Sequence, residues 1–212
     1  MTVLIAGATG LVGSRVLALL PGAIPIGRRA TGVAGEVVAD FSALPVLPAA
    51  DVAICALGTT IRAAGSEAAF RAVIFDAVLA FARGAQAAGV SRFIIVTAVG
   101  ADAGSRMFYP QVKGAVEAAL SGLGFARLDI VQPGLILGPR PGRRAVEGFF
   151  QWLAPLLDPL LVGGMARYGC VEAEVVARAI AVLAERMVPG RFIHQNRGLR
   201  ALAQLDPYVN VN

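Results

Sequence analysis

The segment GATGLVG, residues 7–13, lies between two stretches with different hydrophobic patterns. Before it, residues 2–7 form a continuous apolar run with β-branched side chains, which predicts a buried strand. After it, residues 11–20 place apolar side chains at helical spacing and stop at a Pro-Gly pair. The glycines fall at Gly7, Gly10 and Gly13. A strand, a glycine-rich turn and a helix in this order predict the first unit of an α/β fold with a parallel sheet.

The same alternation continues along the chain. Apolar runs predict strands over residues 23–27, 36–40, 51–58, 92–100, 126–134 and 191–196, and helical patterns cover residues 66–89, 113–124 and 172–187. Continuous apolar strands that alternate with helices are typical of a parallel sheet covered on both faces. We therefore expect a Rossmann-type doubly wound fold, as one domain over residues 1–212. Residues 135–170, rich in Pro, Gly and Arg, are expected to form an irregular insertion on the substrate side.

The composition excludes several classes of protein. Hydrophobic residues make up 57% of the chain and charged residues 16%, which is the opposite of the balance in disordered proteins. No apolar run reaches the roughly 18 to 20 residues of a membrane span, and the N-terminus lacks the pattern of a signal peptide, so a cytoplasmic location is expected. Cys55, Cys170 and His194 are too few and too scattered in sequence to predict a zinc site.

The net charge of +5 is compatible with an anionic ligand of some kind. Nucleic-acid binding through the cluster Arg140–Arg144 is one alternative, but the other arginines are scattered and no aromatic residues are interleaved with them. A small anionic cofactor explains the charge better, and no nucleic-acid partner is expected.

The glycine loop predicts a dinucleotide site, because small residues let the backbone approach a pyrophosphate at the positive end of a helix. Arg28 and Arg29 stand where NAD-binding proteins usually place an acid, and two arginines suit the 2′-phosphate of NADP(H). A solvated basic turn is the alternative interpretation of that pair. Cofactor contacts are expected from Gly7, Thr9, Gly10, Leu11, Val12, Gly13, Arg28, Arg29, Asp40, Phe41, Leu57, Gly58, Thr59, Lys113, Pro133 and Gly134.

The segment YPQVK contains the only lysine of the chain, Lys113, four residues after Tyr109. On a helix the two side chains share a face. A nearby ammonium group favours the phenolate, so Lys113 is expected to lower the pKa of Tyr109. A tyrosine tuned in this way exchanges a proton with a carbonyl or alcohol oxygen. A surface tyrosine beside a solvated lysine is the alternative.

Several motifs in order resemble those of atypical short-chain dehydrogenases/reductases, most closely the Tat-interacting-protein-like oxidoreductases. The motifs are GATGLVG, GRR, CALGTT, AGSEAAFR, GVSRFIIVTAVGAD, FYPQVKGAVEAAL and IVQPGLILGPR. The resemblance implies a Rossmann fold, NADPH binding and a catalytic set of Ser/Thr, Tyr and Lys, in which Tyr109 and Lys113 match the family's tyrosine and lysine. Arg28 matches the position that selects NADP.

The chain departs from that family at two places. Relatives carry two serines after the fifth strand, where this chain has Thr97 and Ala98, so Thr97 is the remaining hydroxyl for the catalytic role. Pro110 follows the tyrosine, and since proline biases the preceding residue away from helical angles, the helix is expected to begin at Pro110.

These expectations combine into an NADPH-dependent oxidoreductase that acts on a small carbonyl or alcohol substrate. An NADPH-binding regulatory or sensor protein with little turnover is the alternative, favoured by the missing serine. A homodimer or a further protein partner is compatible with both functions.

Overall fold

The computed structural model describes residues 1–139 and 169–205. Its strands in chain order are β1 (Val3–Ala6), β2 (Ile24–Gly27), β3 (Val37–Val38), β4 (Val52–Cys55), β5 (Arg92–Val96), β6 (Arg127–Gln132), β7 (Leu135–Leu137), β8 (Cys170–Glu172) and β9 (Gly190–Gln195). Seven of these strands form one sheet in the order β3-β2-β1-β4-β5-β6-β9, and β7 pairs with β8 separately. All the strand pairs are parallel.

The strand order reverses between β1 and β4, the point at which an open α/β sheet leaves a crevice beyond the carboxyl ends of its strands. Leu4 of β1 is in register with Ile24 on one side and with Ala53 on the other. This parallel, doubly wound sheet confirms the predicted Rossmann-type fold.

Helices cover both faces of the sheet. They are α1 (Gly13–Leu19), α2 (Ile61–Ala64), α3 (Glu67–Arg71), α4 (Ala77–Ala87), α5 (Phe108–Ser121), α6 (Ala173–Ala184) and α7 (Asn196–Leu202). Alternate strand residues point to opposite faces. Ile5 and Ile54 therefore belong to a core with α1 and α6, while Leu4 and Ala53 belong to a second core with α4 and α5.

The helix predicted over residues 66–89 is divided in the structure. Ser66 caps its start as predicted, because Oγ accepts a hydrogen bond of 3.1 Å from the N–H of Ala69. A π-helical turn, Ala72–Asp76, then separates α3 from α4. Before this turn Phe70 packs against α5, and after it the apolar face of α4 packs against the sheet. The extra residue of a π turn re-aims the helix between these two surfaces.

The segment predicted to be irregular, residues 135–170, has ordered ends. Leu135–Leu137 and Cys170–Glu172 pair as β7 and β8, so this part of the prediction is wrong. Residues 140–168, which include the arginine cluster at 140–144, lie outside the described residues. Within the described ranges, no helix has the length and apolar character needed to cross a bilayer.

Candidate active site

A cleft of about 500 Å³ opens at the carboxyl ends of β1, β2 and β4. Its walls come from the glycine loop, from the loops after β2 and β4, and from α3 with the π turn. Nine of the residues predicted to bind a cofactor line it: Gly7, Thr9, Gly10, Arg28, Arg29, Phe41, Leu57, Gly58 and Thr59. The cleft therefore joins sequence segments that the glycine and arginine motifs singled out independently.

The glycine loop is too tightly packed for side chains at two positions. Gly7 has a φ of +84°, and a Cβ there would lie 2.5 Å from the carbonyl oxygen of Ala56. A Cβ on Gly13 would overlap the carbonyl oxygen of Gly7. The N–H of Gly10 donates to that same oxygen over 2.9 Å. The strand thus turns directly into α1, and the loop presents backbone to the cleft.

Three predicted cofactor residues hold the start of α1 and are not part of the cleft lining. Val12 is buried in the core beneath α1, and Gly13 begins the helix against the glycine loop. The carbonyl oxygen of Leu11 accepts a hydrogen bond of 2.6 Å from Nη1 of Arg15. Their part in the site is to place the N-terminus of the helix.

Arg28 and Arg29 follow β2 and are exposed at one end of the cleft. Nη2 of Arg29 donates a hydrogen bond of 3.0 Å to Oγ1 of Thr9 in the glycine loop. The two guanidinium groups offer this end of the cleft hydrogen-bond donors with positive charge, which suit an anionic ligand.

Glu36, which sequence reasoning did not single out, closes the loop that carries this arginine pair. Its Oε2 accepts hydrogen bonds from the N–H of Thr31 over 2.5 Å and from the hydroxyl of Thr31 over 2.6 Å. Its Oε1 accepts from the N–H of Gly32 over 3.2 Å. These bonds, above all that from the Thr31 hydroxyl, lower the pKa of Glu36. The contacts depend on the loop conformation, so no local spacing pattern indicates them.

Asp40 and Phe41 occupy different environments although they are neighbours. Oδ1 of Asp40 accepts from the N–H of Ser42 over 2.8 Å and from its hydroxyl over 2.7 Å. The N–H of Ser42 is the main cause that lowers the pKa of Asp40, and the charge of Arg28 contributes. Asp40 is not among the lining residues, whereas the buried Phe41 lines the cleft with its ring edge on Phe81. Asp40 therefore supports the wall that Phe41 forms.

Leu57, Gly58 and Thr59 form the wall after β4. The chain then enters α2, a short helix that the sequence patterns did not predict. Oγ1 of Thr60 caps this helix by accepting a hydrogen bond of 3.1 Å from the N–H of Ala63. Since Ala63 and Ala64 also line the cleft, α2 extends this wall.

Helix α5 begins at Phe108, with Met107 as its N-cap, and Tyr109 is already helical. The prediction that the helix begins at Pro110 is therefore wrong. Pro110 is the third residue of the first turn, where the backbone N–H has no partner within the helix, so proline costs no hydrogen bond. Tyr109 and Lys113 lie one turn apart on the same helix, as their spacing predicts.

Tyr109 is not among the residues that line the cleft, but its ring contacts Phe70 of α3. The residue is 41% exposed, and the centroid of its ring lies 5.5 Å from that of the Phe70 ring. Ala69, next to Phe70, lines the cleft. Partial burial raises the pKa of Tyr109, which is opposite to the lowering expected from Lys113. The phenol is therefore protonated at neutral pH.

Lys113 is buried, with 5% of its surface exposed. It is not among the residues that line the cleft. Burial lowers its pKa to about 8, while electrostatic interactions with Cys55, when its thiol is ionised, and with Glu117 act in the opposite direction. The next residue, Gly114, packs on the loop after β5 so closely that a Cβ would overlap the backbone of Asp102. This contact fixes α5 against the carboxyl end of β5.

Thr97 and Ala98 follow β5. Thr97 is 6% exposed, and its Oγ1 donates a hydrogen bond of 2.5 Å to Oε1 of Glu117 on α5. The structure thus brings Thr97, Lys113 and Glu117 together on the α5 side of the sheet. Glu117 was not predicted, although it lies one turn after Lys113 at a spacing that the sequence displays.

Pro133 and Gly134 lie at the end of β6, outside the cleft lining. The carbonyl oxygen of Pro133 accepts from the N–H of Val99 over 3.0 Å. The N–H of Gly134 donates to Oδ1 of Asn196 over 3.0 Å, and Nδ2 of Asn196 donates to the carbonyl oxygen of Gly169 over 2.8 Å. The buried Asn196 therefore holds this turn in place, a long-range role that no local pattern predicts.

The only histidine, His194, belongs to a network between β6 and β9. Its Nε2 lies 2.8 Å from Oδ1 of Asp129, and Asp129 accepts two further hydrogen bonds from Arg127. In the part of the chain that the structure describes, no group of three or more His, Cys, Asp or Glu side chains could hold a metal ion.

No family model matches the chain. The mitochondrial protein fmp52 of Aspergillus niger is 31% identical over 193 residues, which cover 82% of this chain and 82% of that protein. HTATIP2 of Rattus norvegicus is 38% identical over 147 residues, 68% of this chain and 59% of that protein. The chain belongs to the atypical short-chain dehydrogenase/reductase family, with the Fmp52 proteins and HTATIP2. This confirms the resemblance predicted from the motifs.

Several solved structures share the fold of this chain. MoeE5 in complex with UDP-glucose and NAD has a TM-score of 0.69 and 16% identity, and the match covers 96% of this chain and 81% of that chain. The human epimerase family protein SDR39U1 with NADPH has a TM-score of 0.67 and 18% identity, over 92% of this chain and 73% of that chain. At these identities the likeness concerns the fold.

The expected cytoplasmic location is contradicted by the relatives. The matching Fmp52 proteins of several fungi are named mitochondrial proteins, among them that of Scheffersomyces stipitis, which is 33% identical over 84% of this chain. These names point away from the cytoplasm.

Proposed function

We propose that this protein is an NADPH-dependent oxidoreductase that acts on a small carbonyl or alcohol substrate. The observation that carries the proposal is the single cleft in which the glycine loop, the arginine pair and the loop after β4 meet. The relatives HTATIP2 and Fmp52 and the nucleotide complexes of MoeE5 and SDR39U1 support a nicotinamide dinucleotide as the ligand.

The residues of the cleft fit such a cofactor. At Gly7 and Gly13 the loop has no room for a Cβ, so the chain packs closely at the start of α1, where a pyrophosphate would bind. Phe41 offers an apolar wall to an adenine ring, and Leu57–Thr59 form the wall at the other side. The cleft of about 500 Å³ is in the range of ligand pockets in proteins.

The proposed preference for NADPH over NADH rests on the arginine pair. Arg28 and Arg29 follow β2, and both line the cleft. A guanidinium group binds a phosphate through two parallel hydrogen bonds and keeps its charge at any physiological pH. Glu36 also lines the cleft, and its carboxylate oxygens accept hydrogen bonds from Thr31 and Gly32 in the loop that follows the arginine pair.

The chemistry is divided between cofactor and protein. A bound nicotinamide supplies or accepts the hydride. In the reducing direction, the phenol of Tyr109 donates its proton to the carbonyl oxygen as that oxygen becomes a hydroxyl. The raised pKa of Tyr109 suits this role, because the donor is protonated at neutral pH. Lys113 is proposed to hold the ribose hydroxyls with its ammonium group.

Purified protein with NADPH or NADH and a panel of small aldehydes and ketones tests this function. We expect oxidation of the reduced cofactor that depends on the carbonyl compound and is faster with NADPH. Absence of oxidation with every compound, although NADPH binds, would refute the oxidoreductase proposal.

That last outcome is the one expected of a second candidate, an NADPH-binding regulatory or sensor protein. Two observations favour it: the hydroxyl of Thr97 is engaged by Glu117, and Ala98 provides no replacement. For a sensor, NADPH should change the capture of a protein partner. Capture that is the same with and without NADPH would argue against this candidate.

A further inference from the structure

A buried chain of polar side chains links β5, α5, β6 and β9. Oγ1 of Thr97 donates to Oε1 of Glu117 over 2.5 Å, and Nε2 of Gln132 lies 3.0 Å from both carboxylate oxygens. Gln195 donates in turn to Oε1 of Gln132 over 3.1 Å. Thr97, Glu117 and Gln132 are each no more than 6% exposed. Hydrogen-bond donors therefore reach both oxygens of Glu117, the condition under which a carboxylate is stable in a protein interior.

The hydroxyl of Thr97 has one hydrogen and two lone pairs. Since that hydrogen points to Glu117, Thr97 can offer a ligand only an acceptor. A carbonyl oxygen is itself an acceptor, so Thr97 cannot supply the hydrogen bond that a serine at this place would provide. Tyr109 remains the hydroxyl that is able to donate.

The same carboxylate lies one helical turn after Lys113. Among the described residues, the ammonium of Lys113 forms no ion pair within 4.0 Å, although the residue is only 5% exposed. A buried ammonium group without a compensating charge loses its proton readily. The state of Lys113 therefore depends on the charges that surround it.

Four titratable groups surround Lys113. Cys55 faces it from β4, but burial raises the pKa of this thiol to about 12, so it is neutral at pH 7. Tyr109, one turn earlier on α5, is also neutral because burial raises its pKa. Asp102, in the loop packed on α5, is exposed, and its carboxylate accepts from Gly104. Glu117 is left as the buried carboxyl group, with hydrogen-bond partners on both oxygens.

We propose that Glu117 is a positioning residue that keeps the ammonium of Lys113 charged inside the protein and turns the hydroxyl hydrogen of Thr97 away from the substrate. The inference rests on the proposed function, in which the charged lysine holds cofactor. The opposing effects on Lys113 support it: burial lowers its pKa to about 8, while electrostatic interactions with Cys55, when its thiol is ionised, and with Glu117 raise it. Since Cys55 keeps its proton at pH 7, Glu117, buried one turn along α5, is the remaining buried carboxyl group that can favour the charged form of Lys113.

Because Lys113 is the only lysine, its ionisation can be measured directly. Full-length protein labelled with ¹³C-lysine gives one side-chain Cε signal, whose chemical shift is followed from pH 6 to 11 without cofactor. We expect a midpoint near 8 in the wild type. In Glu117→Gln the midpoint should fall by about one pH unit, and Glu117→Asp, which restores the charge, should return it toward the wild-type value.

Asp102→Asn is the matched control, since it removes an exposed carboxylate beside the same helix and should leave the midpoint unchanged. An unchanged midpoint in Glu117→Gln overturns the proposal. If Glu117→Gln does not fold, a wild-type midpoint below pH 7 overturns the proposal, because Lys113 would then be neutral at the pH at which Glu117 is proposed to keep it charged. The titration involves no turnover, so failure of the oxidoreductase proposal leaves the midpoints as expected. Failure of the present proposal instead leaves carbonyl reduction intact while Glu117→Gln titrates as the wild type does.

Discussion

Nη2 of Arg29 donates a hydrogen bond of 3.0 Å to Oγ1 of Thr9, which joins the loop after β2 to the glycine loop after β1. The two loops come from different strands, yet this bond makes them one wall of the same cleft. Arg28 lies beside Arg29 and interacts electrostatically with Asp40. A phosphate group at this end of the cleft could bind the guanidinium groups of both arginines. Substitution of the pair therefore tests whether the protein prefers NADPH to NADH.

Arg28→Ala and Arg29→Ala are each expected to weaken NADPH binding by about 10- to 100-fold and NADH binding by less than about threefold. The reason is that a hydrogen bond to a charged group contributes about 1.5–3 kcal/mol, and only NADPH has the extra phosphate. Dissociation constants for both cofactors, measured by calorimetry, check this. Arg83→Ala, an exposed arginine of α4 outside the cleft, is the control and should change neither constant. An unchanged ratio of the two constants in both cleft variants would remove the arginine argument.

Tyr109→Phe should reduce carbonyl-dependent NADPH oxidation by about 10²- to 10⁴-fold, the usual contribution of a general acid. The ring contact with Phe70 is retained in the variant, so its NADPH dissociation constant should stay within about twofold of the wild-type value. Steady-state kinetics and a binding titration on the same preparation separate the two effects. Equal turnover in wild type and variant would show that Tyr109 is not the proton donor.

How far the sequence predicts this molecule depends on the range of the contacts. β1 and β4 are continuous apolar runs buried on both faces, so a local pattern is sufficient to predict them. The π turn before α4 was not predicted, because it serves the packing of Phe70 and Ile74 on Val112 of a distant helix. The local spacing of apolar residues does not show which distant helix will pack against them.

The site shows the same division. The glycine and arginine segments were predicted because their chemistry is local, and the structure brings them to one cleft. Glu117 was missed since its partners, Thr97 and Gln132, come from two separate strands. Asn196 was missed for the same reason, as it connects Gly134 with a residue far away in sequence.

Lys113→Met is expected to stabilise the fold while it weakens NADPH binding. Burial lowers the pKa of Lys113 from 10.5 to about 8, so burying the charged form costs the folded protein up to about 3 kcal/mol at pH 7. Methionine fills a similar volume without charge. Urea unfolding at pH 7 should give a higher free energy of unfolding for the variant, and calorimetry a larger dissociation constant for NADPH.

The pH dependence of stability isolates the same group. The folded-state pKa of Lys113 lies below its unfolded value, so between about pH 8 and 10.5 the unfolded chain binds the extra proton. Stability therefore gains a contribution from Lys113 as the pH rises through this window. Other groups titrate there as well, and the difference between wild type and Lys113→Met removes their effect. A difference that does not change from pH 8 to 10.5 would contradict the lowered pKa.

Gly13→Ala tests the close packing of the glycine loop on α1. A Cβ at this position would overlap the carbonyl oxygen of Gly7 and lie 3.1 Å from Cα of Ala8, both of which are backbone atoms. Backbone cannot rotate aside as a flexible side chain does, so the loop must shift, at a cost of about 2 kcal/mol or more. We expect a lower melting temperature and a loss of NADPH affinity, because the same loop faces the cleft.

Gly198→Ala in α7, where a Cβ would meet nothing within 4 Å, is the control and should instead stabilise the protein by up to about 1 kcal/mol. Melting curves of the two variants with and without NADPH distinguish a local packing defect from a general effect of added methyl groups. A Gly13→Ala protein that melts at the wild-type temperature and binds NADPH with the wild-type affinity would contradict the close packing of the glycine loop.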